Sequence, residues 1–172
     1  MKAGDFEIRA GDFEIKAGDF EIKAGDPEMS DYSHEWLCRQ IVDGAQDAII
    51  FADREGIVRL WNSGAEAIFG YSRIEAIGQD IEIIIPEKLI DRHRQGYRKV
   101  METGDSKYGR ELLSVPAIRK DGARISIEFS IVILKSNEGR VVGSAAVIRD
   151  VTARWEREKA LKEALKSHAT AV

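Results

Sequence analysis

Apolar residues recur along the chain with two periods, and the change of period divides it into elements. Ile125, Ile127, Phe129, Ile131 and Ile133 alternate with mostly polar neighbours within Arg124–Leu134, the clearest sign of a strand with one buried face. Ala48–Ala52, Ile57–Trp61, Glu111–Ile118 and Arg140–Ile148 read as further strands. Tight turns are expected at Asp53–Gly56, Lys120–Gly122 and Asn137–Gly139. Helical spacing begins after Ser30 or Ser33, either of which can cap a helix carrying Trp36, Leu37, Ile41 and Val42 on one side and ended by Gly44. Shorter helical pieces fall at Ser63–Phe69, ended by Gly70, and at Arg73–Ile77, ended by Gly78. Asp80–Ile85 leads to Pro86, which suits the first turn of a longer helix, Glu87–Glu102, closed by Gly104. A terminal helix follows over Trp155–His168, for which Thr152 is a candidate cap. One helix, two strands, several short helices, three strands and a last helix pack most economically as an α+β fold. That fold is a five-stranded antiparallel sheet with helices clasping one face.

The first 28 residues follow a different rule. They repeat every seven residues (KAGDFEI, RAGDFEI, KAGDFEI, then KAGDPEM), with Phe and Ile two apart and a Gly in each unit. That spacing does not fit a coiled coil, and each Gly weakens a helix by about 1 kcal/mol. It fits a meander of strands Phe6–Ala10, Phe13–Ala17 and Phe20–Ala24, joined by Gly11-Asp12 and Gly18-Asp19. In that register Ile8 faces Ile15 and Phe6 faces Ala17 on one side, while Arg9 meets Glu14 and Glu7 meets Lys16 on the other. Such a meander is marginal alone, so order is expected only if its Phe/Ile face docks on another surface. The alternative is a flexible tail arising by tandem duplication or engineering. No unit carries the Asp-rich ligand ladder of a calcium loop.

Charge sharpens this division. Lys2, Arg9, Lys16 and Lys23 stand against Asp5, Glu7, Asp12, Glu14, Asp19, Glu21, Asp26 and Glu28, an acidic excess equal to the whole formal net charge of −4. The remaining residues are formally neutral and give no electrostatic reason to expect a nucleic-acid partner. A hydrophobic content of 44% supports a real core. The longest apolar runs, such as Ile83-Ile84-Ile85, are too short to span a bilayer, and no secretory signal is evident. With Cys38 the only cysteine, neither an intramolecular disulfide nor a cysteine-based zinc site can form. His34 and His168 form no spaced metal pair. No Ser/His/Asp set, phosphate-cradling loop or kinase motif is present, so a cytoplasmic non-enzyme is expected.

Three stretches carry a resemblance to a known family. AIIFADREGIVRLWNSGAEAIFGYSRIEAIGQ, including Asn62 and Gly70-Tyr71-Ser72, resembles the first half of a PAS domain of the S-box type. IRKDGARISIEFSI and GSAAVIRDVTARWE resemble its second half. The Asp150-Val151-Thr152 step matches the Asp-x-Thr junction that joins the last PAS strand to a signalling helix. The resemblance covers roughly residues 34–156. It divides the chain into the repeat (1–28), a leading helix (29–45), a PAS core (46–153) and a C-terminal signalling helix with its tail (154–172).

PAS domains bind haem, flavin, small acids or nothing, so fold alone does not name the ligand. The photoactive flavin subclass has a cysteine-bearing Asn-Cys-Arg-Phe motif where this chain has Gln79-Asp80-Ile81-Glu82, which excludes flavin-cysteinyl photochemistry. IPEKLIDRHRQGY (Ile85–Tyr97) resembles the helix of haem PAS domains from oxygen-sensing kinases and carbon-monoxide-sensing regulators. That resemblance implies haem as a cofactor and makes His93, seven residues beyond Pro86, the metal ligand. The polar distal position of those sensors falls on Leu113, and Phe129 and Ile131 add to an apolar wall without a strong hydrogen-bond donor. The alternative places His93 on the outer, solvated face of its helix among Asp91, Arg92 and Arg94.

The expected function is a sensory input module that binds a ligand between sheet and helices and passes its state to a partner through the terminal helices. The alternative is a ligand-free module for protein–protein interaction and dimerisation. Leu161 and Leu165 give the last helix a narrow apolar stripe, and Trp36, Leu37 and Ile41 give the leading helix another. Both stripes can fold back on the sheet. The preferred reading pairs them across a homodimer, with Asp150 and Thr152 at the signalling junction.

Overall fold

A computed structural model describes residues 32–105 and 111–170, with side chains as far as residue 164. The expectations for residues 1–28 and for the side chain of Leu165 lie outside the described residues. Five strands, β1 (Ala48–Asp53), β2 (Val58–Trp61), β3 (Leu113–Ile118), β4 (Arg124–Lys135) and β5 (Val141–Asp150), form one sheet in the order β2-β1-β5-β4-β3. Every neighbouring pair is antiparallel. The helices are α1 (His34–Gly44), α2 (Ser63–Phe69), α3 (Arg73–Ala76), α4 (Ile90–Thr103) and α5 (Thr152–Thr170), with 3-10 turns at Ile81–Ile84 and Glu87–Leu89. This is the α+β architecture that the two periods predict.

Cross-strand register fixes which side chains share a face. Ile50 lies opposite both Trp61 and Ala146, Ile131 opposite Ala146, Phe129 opposite both Ile148 and Leu113. Their side chains therefore lie on the inner face, where Ile50, Val58, Trp61, Ile125, Ile127 and Ile148 are buried with Phe69, Ala76 and Ile84. Burying large aliphatic and aromatic side chains contributes roughly 1.5–3 kcal/mol each, and this layer holds the helices to the sheet.

One polar residue lies within that apolar layer. Asn62 is fully buried, and its Oδ1 accepts from the amides of Ile49 (2.8 Å) and Ala65 (2.9 Å). Its Nδ2 lies within hydrogen-bond distance of the carbonyls of Val42, Ala45 and Asp47. Asn62 thus caps α2 while it ties the end of α1 to the start of β1. The approach is close enough that a Cβ on Gly64 would sit 2.3 Å from the Asp47 carbonyl oxygen, so only glycine fits there.

The elements differ from the sequence expectation mainly at their ends. Ile57 lies outside β2 and bridges to Asp80 instead, because the β1–β2 ladder is irregular between Phe51 and Ala52. The long helix expected from Glu87 splits into a 3-10 turn and α4, and Pro86 caps that turn rather than opening an α-helix. Glu111 and Leu112 precede β3, whose pairing with β4 begins at Leu113. Ser33, not Ser30, caps α1, its side chain accepting from the Trp36 amide. α5 begins at Thr152, earlier than expected.

Replacing Asn62 by Ala strips the Ile49 and Ala65 amides of acceptors inside the core. Each buried unsatisfied group costs about 1–3 kcal/mol, so Asn62→Ala is expected to lose more than about 3 kcal/mol in urea unfolding. An unchanged unfolding midpoint would contradict this role.

Candidate functional site

The site forms where α4 crosses toward the sheet. Tyr97 anchors the helix there: its hydroxyl lies 3.0 Å from the Ala52 carbonyl oxygen and 2.6 Å from that of Asp53. Burial holds its phenol above the ordinary tyrosine value. Arg94 reaches the other way, to Glu82 at 2.6 Å, and so fastens α4 to the 3-10 turn Ile81–Ile84. These two contacts fix the rotation of α4 and therefore the direction of His93, one turn before Tyr97, with ring centroids 5.8 Å apart.

His93 is half-buried, and its Nδ1 is buried with no hydrogen-bond partner among the described residues. Burial lowers its pKa from 6.5; the carboxylates of Glu82 and Asp80 oppose that shift and Arg94 adds to it. The ring is neutral at physiological pH, the form that ligates metals. His93 borders a cleft of about 430 Å³ that is also lined by Arg54, Asp80, Glu82, Tyr97 and Met101.

The other predicted pocket residues sit on the sheet. Leu113 and Phe129 are directly opposed across β3 and β4, Ile131 is two residues further along the same face, and all three are half-buried. They form a continuous apolar wall on the inner face. The cleft beside His93 is lined by residues of α4, the β1–β2 turn and the 3-10 turn, and none of the three wall residues borders it. Among the described residues, no group of three or more His, Cys, Asp or Glu side chains is arranged to hold a metal ion.

At the far end of the sheet, Asp150 and Thr152 form a compact junction. The Thr152 hydroxyl lies 2.6 Å from Asp150 Oδ1, which also accepts from the Thr152 amide. Thr152 Oγ1 accepts from the Ser126 amide at 2.9 Å, and Arg119 pairs with Asp150 at 2.6 Å. Burial opposes ionisation of Asp150, yet the bonds from Thr152 and Arg119 prevail and hold its carboxyl below the usual value. The Thr152 side chain therefore locks the start of α5 to β4 instead of capping the helix, a correction to the sequence reading. The cause is register: Ile127 pairs with Asp150, which brings the Ser126 amide beside the helix start.

The terminal helices leave their stripes open. Trp36 stacks on Tyr32 at 4.6 Å but is 44% exposed, and Ile41 is 68% exposed, while Leu37 is half-buried. Leu161 on α5 is 64% exposed. Sequence reasoning missed Tyr97 and Arg119, whose partners are backbone carbonyls and an acid distant in the chain. Tyr97 closes the Ile85–Tyr97 motif, four residues after His93, but nothing in that motif names its carbonyl partners.

A five-stranded antiparallel sheet with short helices on one face and an Asp-x-Thr lock at the start of α5 define a domain of the PAS type. The chain belongs to the PAS fold family, which matches residues 42–156. It is 38% identical over 128 residues to an uncharacterized protein of Azorhizobium caulinodans, covering 72% of this chain and 17% of that one. It is 31% identical to the sensor protein FixL of Bradyrhizobium diazoefficiens, covering 73% of this chain and 24% of that one. It is 28% identical to the oxygen sensor protein DosP of Escherichia coli K12, covering 62% and 13%. A solved PAS domain from Colwellia psychrerythraea superposes with a TM-score of 0.60 at 26% identity, over 68% of this chain and 96% of that one. The chain thus spans less than a quarter of the length of these curated relatives. With relatives named as a sensor protein, a signal transduction histidine-protein kinase and an oxygen sensor protein, it groups with the PAS sensory domains of signal transduction. No helix among the described residues is long and apolar enough to cross a membrane.

The neutral His93 ring gives a pH dependence. In the unfolded chain the imidazole titrates near 6.5, and in the folded chain lower, so the unfolded state takes up the proton first. The stabilisation from the neutral ring is fully present above pH 6.5 and is lost as pH falls toward the folded value. Urea unfolding of the wild type is therefore expected to weaken more than that of His93→Gln between about pH 7 and pH 5. Parallel curves for the two proteins would contradict this.

Proposed function

We propose that this PAS domain is a gas- or redox-sensing input module that holds haem through His93 and signals as a homodimer through α1 and α5. The observation that carries the reading is the buried Nδ1 of His93, a neutral imidazole nitrogen without a partner among the described residues. An unsatisfied buried polar atom costs about 1–3 kcal/mol, a cost that a bound group can remove. The resemblance of Ile85–Tyr97 to haem PAS helices supports the same residue, as does similarity to a protein named as an oxygen sensor. Bound haem iron supplies a coordination position for a diatomic gas and a redox couple.

The residues of this chain would then act as follows. Tyr97 and Arg94 set the direction of the His93 ring, and burial keeps it deprotonated and able to ligate. Leu113, Phe129 and Ile131 form an apolar patch on the inner face of the sheet, outside the cleft beside His93, and would line the haem only if it extended from that cleft to the sheet. Any displacement of β4 would reach α5 directly, because the Ser126 amide is bonded to Thr152. The exposed Trp36, Ile41 and Leu161 supply apolar surface for a two-fold pairing of helices.

One observation favours a second reading, a ligand-free interaction and dimerisation module. Phe129 packs against the buried core together with Ile81, Ile83 and Ile85, which fills part of the space beneath the sheet. Haem titration separates the two. Haem sensing predicts a Soret band that saturates at about one haem per chain and is lost in His93→Ala, with that variant still folded by circular dichroism. Colourless protein after titration would reject haem sensing and favour the second reading. For assembly, light scattering is expected to give a dimer that weakens in Ile41→Glu/Leu161→Glu. A monomer at all concentrations would reject the helix pairing.

A further inference from the structure

The leading helix carries two metal donors that the cleft beside His93 does not use. Spacings of three and four set His34, Leu37, Cys38 and Ile41 along one face of α1. Two other pairs at four-residue spacing in this segment have ordinary partners: Tyr32 stacks on Trp36, and Glu35 meets Arg39 at 3.6 Å. His34 and Cys38 instead bring Nε2 and Sγ to 3.5 Å from each other, and both residues are exposed. Cysteine is among the residues most often buried, yet here it is a free thiol on the surface.

The separation of the two donors has a chemical meaning. Zinc holds sulfur at about 2.3 Å and imidazole nitrogen at about 2.0–2.1 Å in tetrahedral geometry, which sets two such donors about 3.5 Å apart. His34 and Cys38 thus already stand at the spacing of a zinc chelate. We propose that they form half of a zinc site, which a second copy of the chain completes with its own His34 and Cys38, joining two α1 helices through the ion. One cysteine per chain rules out a complete site within one chain, and among the described residues no third His, Cys, Asp or Glu joins the pair. Two chains supply two imidazoles and two thiolates, the closed four-ligand set of structural zinc sites. Sulfur with imidazole selects zinc over magnesium or calcium, and the Cys38 thiol proton leaves to solvent as the metal binds. The partner is a second copy because a two-fold contact brings like residues together at its axis. The seam is on the same face: Ile41, next along it after Cys38, is 68% exposed, and Leu37 between the donors is half-buried. The site shares with the proposed function the pairing of α1, and it needs neither haem nor His93. It makes the tightness of that pairing depend on free zinc.

Cobalt reports on such a site, because a tetrahedral complex with thiolate ligands absorbs strongly. In the reduced full chain, stripped of metal with EDTA, cobalt is expected to give a thiolate-to-metal band that saturates at about one ion per two chains and is bleached by zinc. Light scattering over a dilution series is expected to show zinc tightening the dimer at least about tenfold, and EDTA reversing it. Cys38→Ser is expected to abolish the band, and His34→Ala to weaken cobalt binding at least about tenfold. Both positions are exposed, and circular dichroism checks that the variants fold. Absence of the band would overturn the site, as would saturation at one ion per chain without a tighter dimer, or cobalt binding unchanged in both variants. The two pairings fail separately. A dimer in EDTA that takes up no cobalt leaves the apolar pairing of α1 standing and rejects the metal site. A monomer in EDTA that zinc converts to a dimer supports the metal site and rejects pairing by the apolar stripes alone.

Discussion

A single buried amide organises the part of the domain where α1, β1 and α2 meet. Asn62 accepts from Ile49 and Ala65, and its Nδ2 meets the carbonyls around residues 42–47, so α1, β1 and α2 converge on one side chain. Such a network is worth having only when it is complete, because each unmet group in a low-dielectric core is costly. Here donors and acceptors are both used, which fixes one arrangement of three elements where apolar packing alone would tolerate several. The close approach at Gly64 follows from the same constraint, since a carbonyl that must reach Asn62 leaves no room for a side chain beside it.

From that fixed frame the rest of the domain hangs on contacts between side chains and distant backbone. Tyr97 fastens α4 to the end of β1, and Arg54 on the following turn reaches the Val141 carbonyl at the start of β5. Arg73 bonds the Trp61 carbonyl, and Glu75 closes a capping box with Ser72 while pairing with Lys120. The bonds from Lys120 and Ser72 hold the Glu75 carboxyl at about 2. These links tie α3, α4 and the β1–β2 turn to the sheet. The Asp150–Thr152–Ser126 lock then connects the sheet to α5 through hydrogen bonds made by the Asp150 and Thr152 side chains.

The fold was legible because its strands and turns are locally encoded. The alternation from Ile125 to Ile133 has one outcome, and the glycines at 70 and 104 sit at positive φ where helices end. Element ends were less legible. Whether Glu87–Leu89 winds as a 3-10 turn, or Ile57 pairs with Asp80 rather than extending β2, depends on neighbours far along the chain. The candidate site was less legible: the resemblance singled out His93, which borders the cleft, and Leu113, Phe129 and Ile131, which lie on the sheet outside that cleft. Tyr97 and Arg119 were not singled out, because residues 45 and 31 positions away supply their partners.

The sequence by itself determined the secondary elements, the family, and the separation of an acidic repeat from a formally neutral domain. Those properties are written in period, turn chemistry and charge, which act over a few residues. Only the tertiary structure decided that His93 turns partly inward with one nitrogen unpartnered among the described residues, and that Thr152 locks a strand instead of capping a helix. In each case the deciding quantity is which atoms meet after folding, and water exclusion, not local propensity, sets its energy.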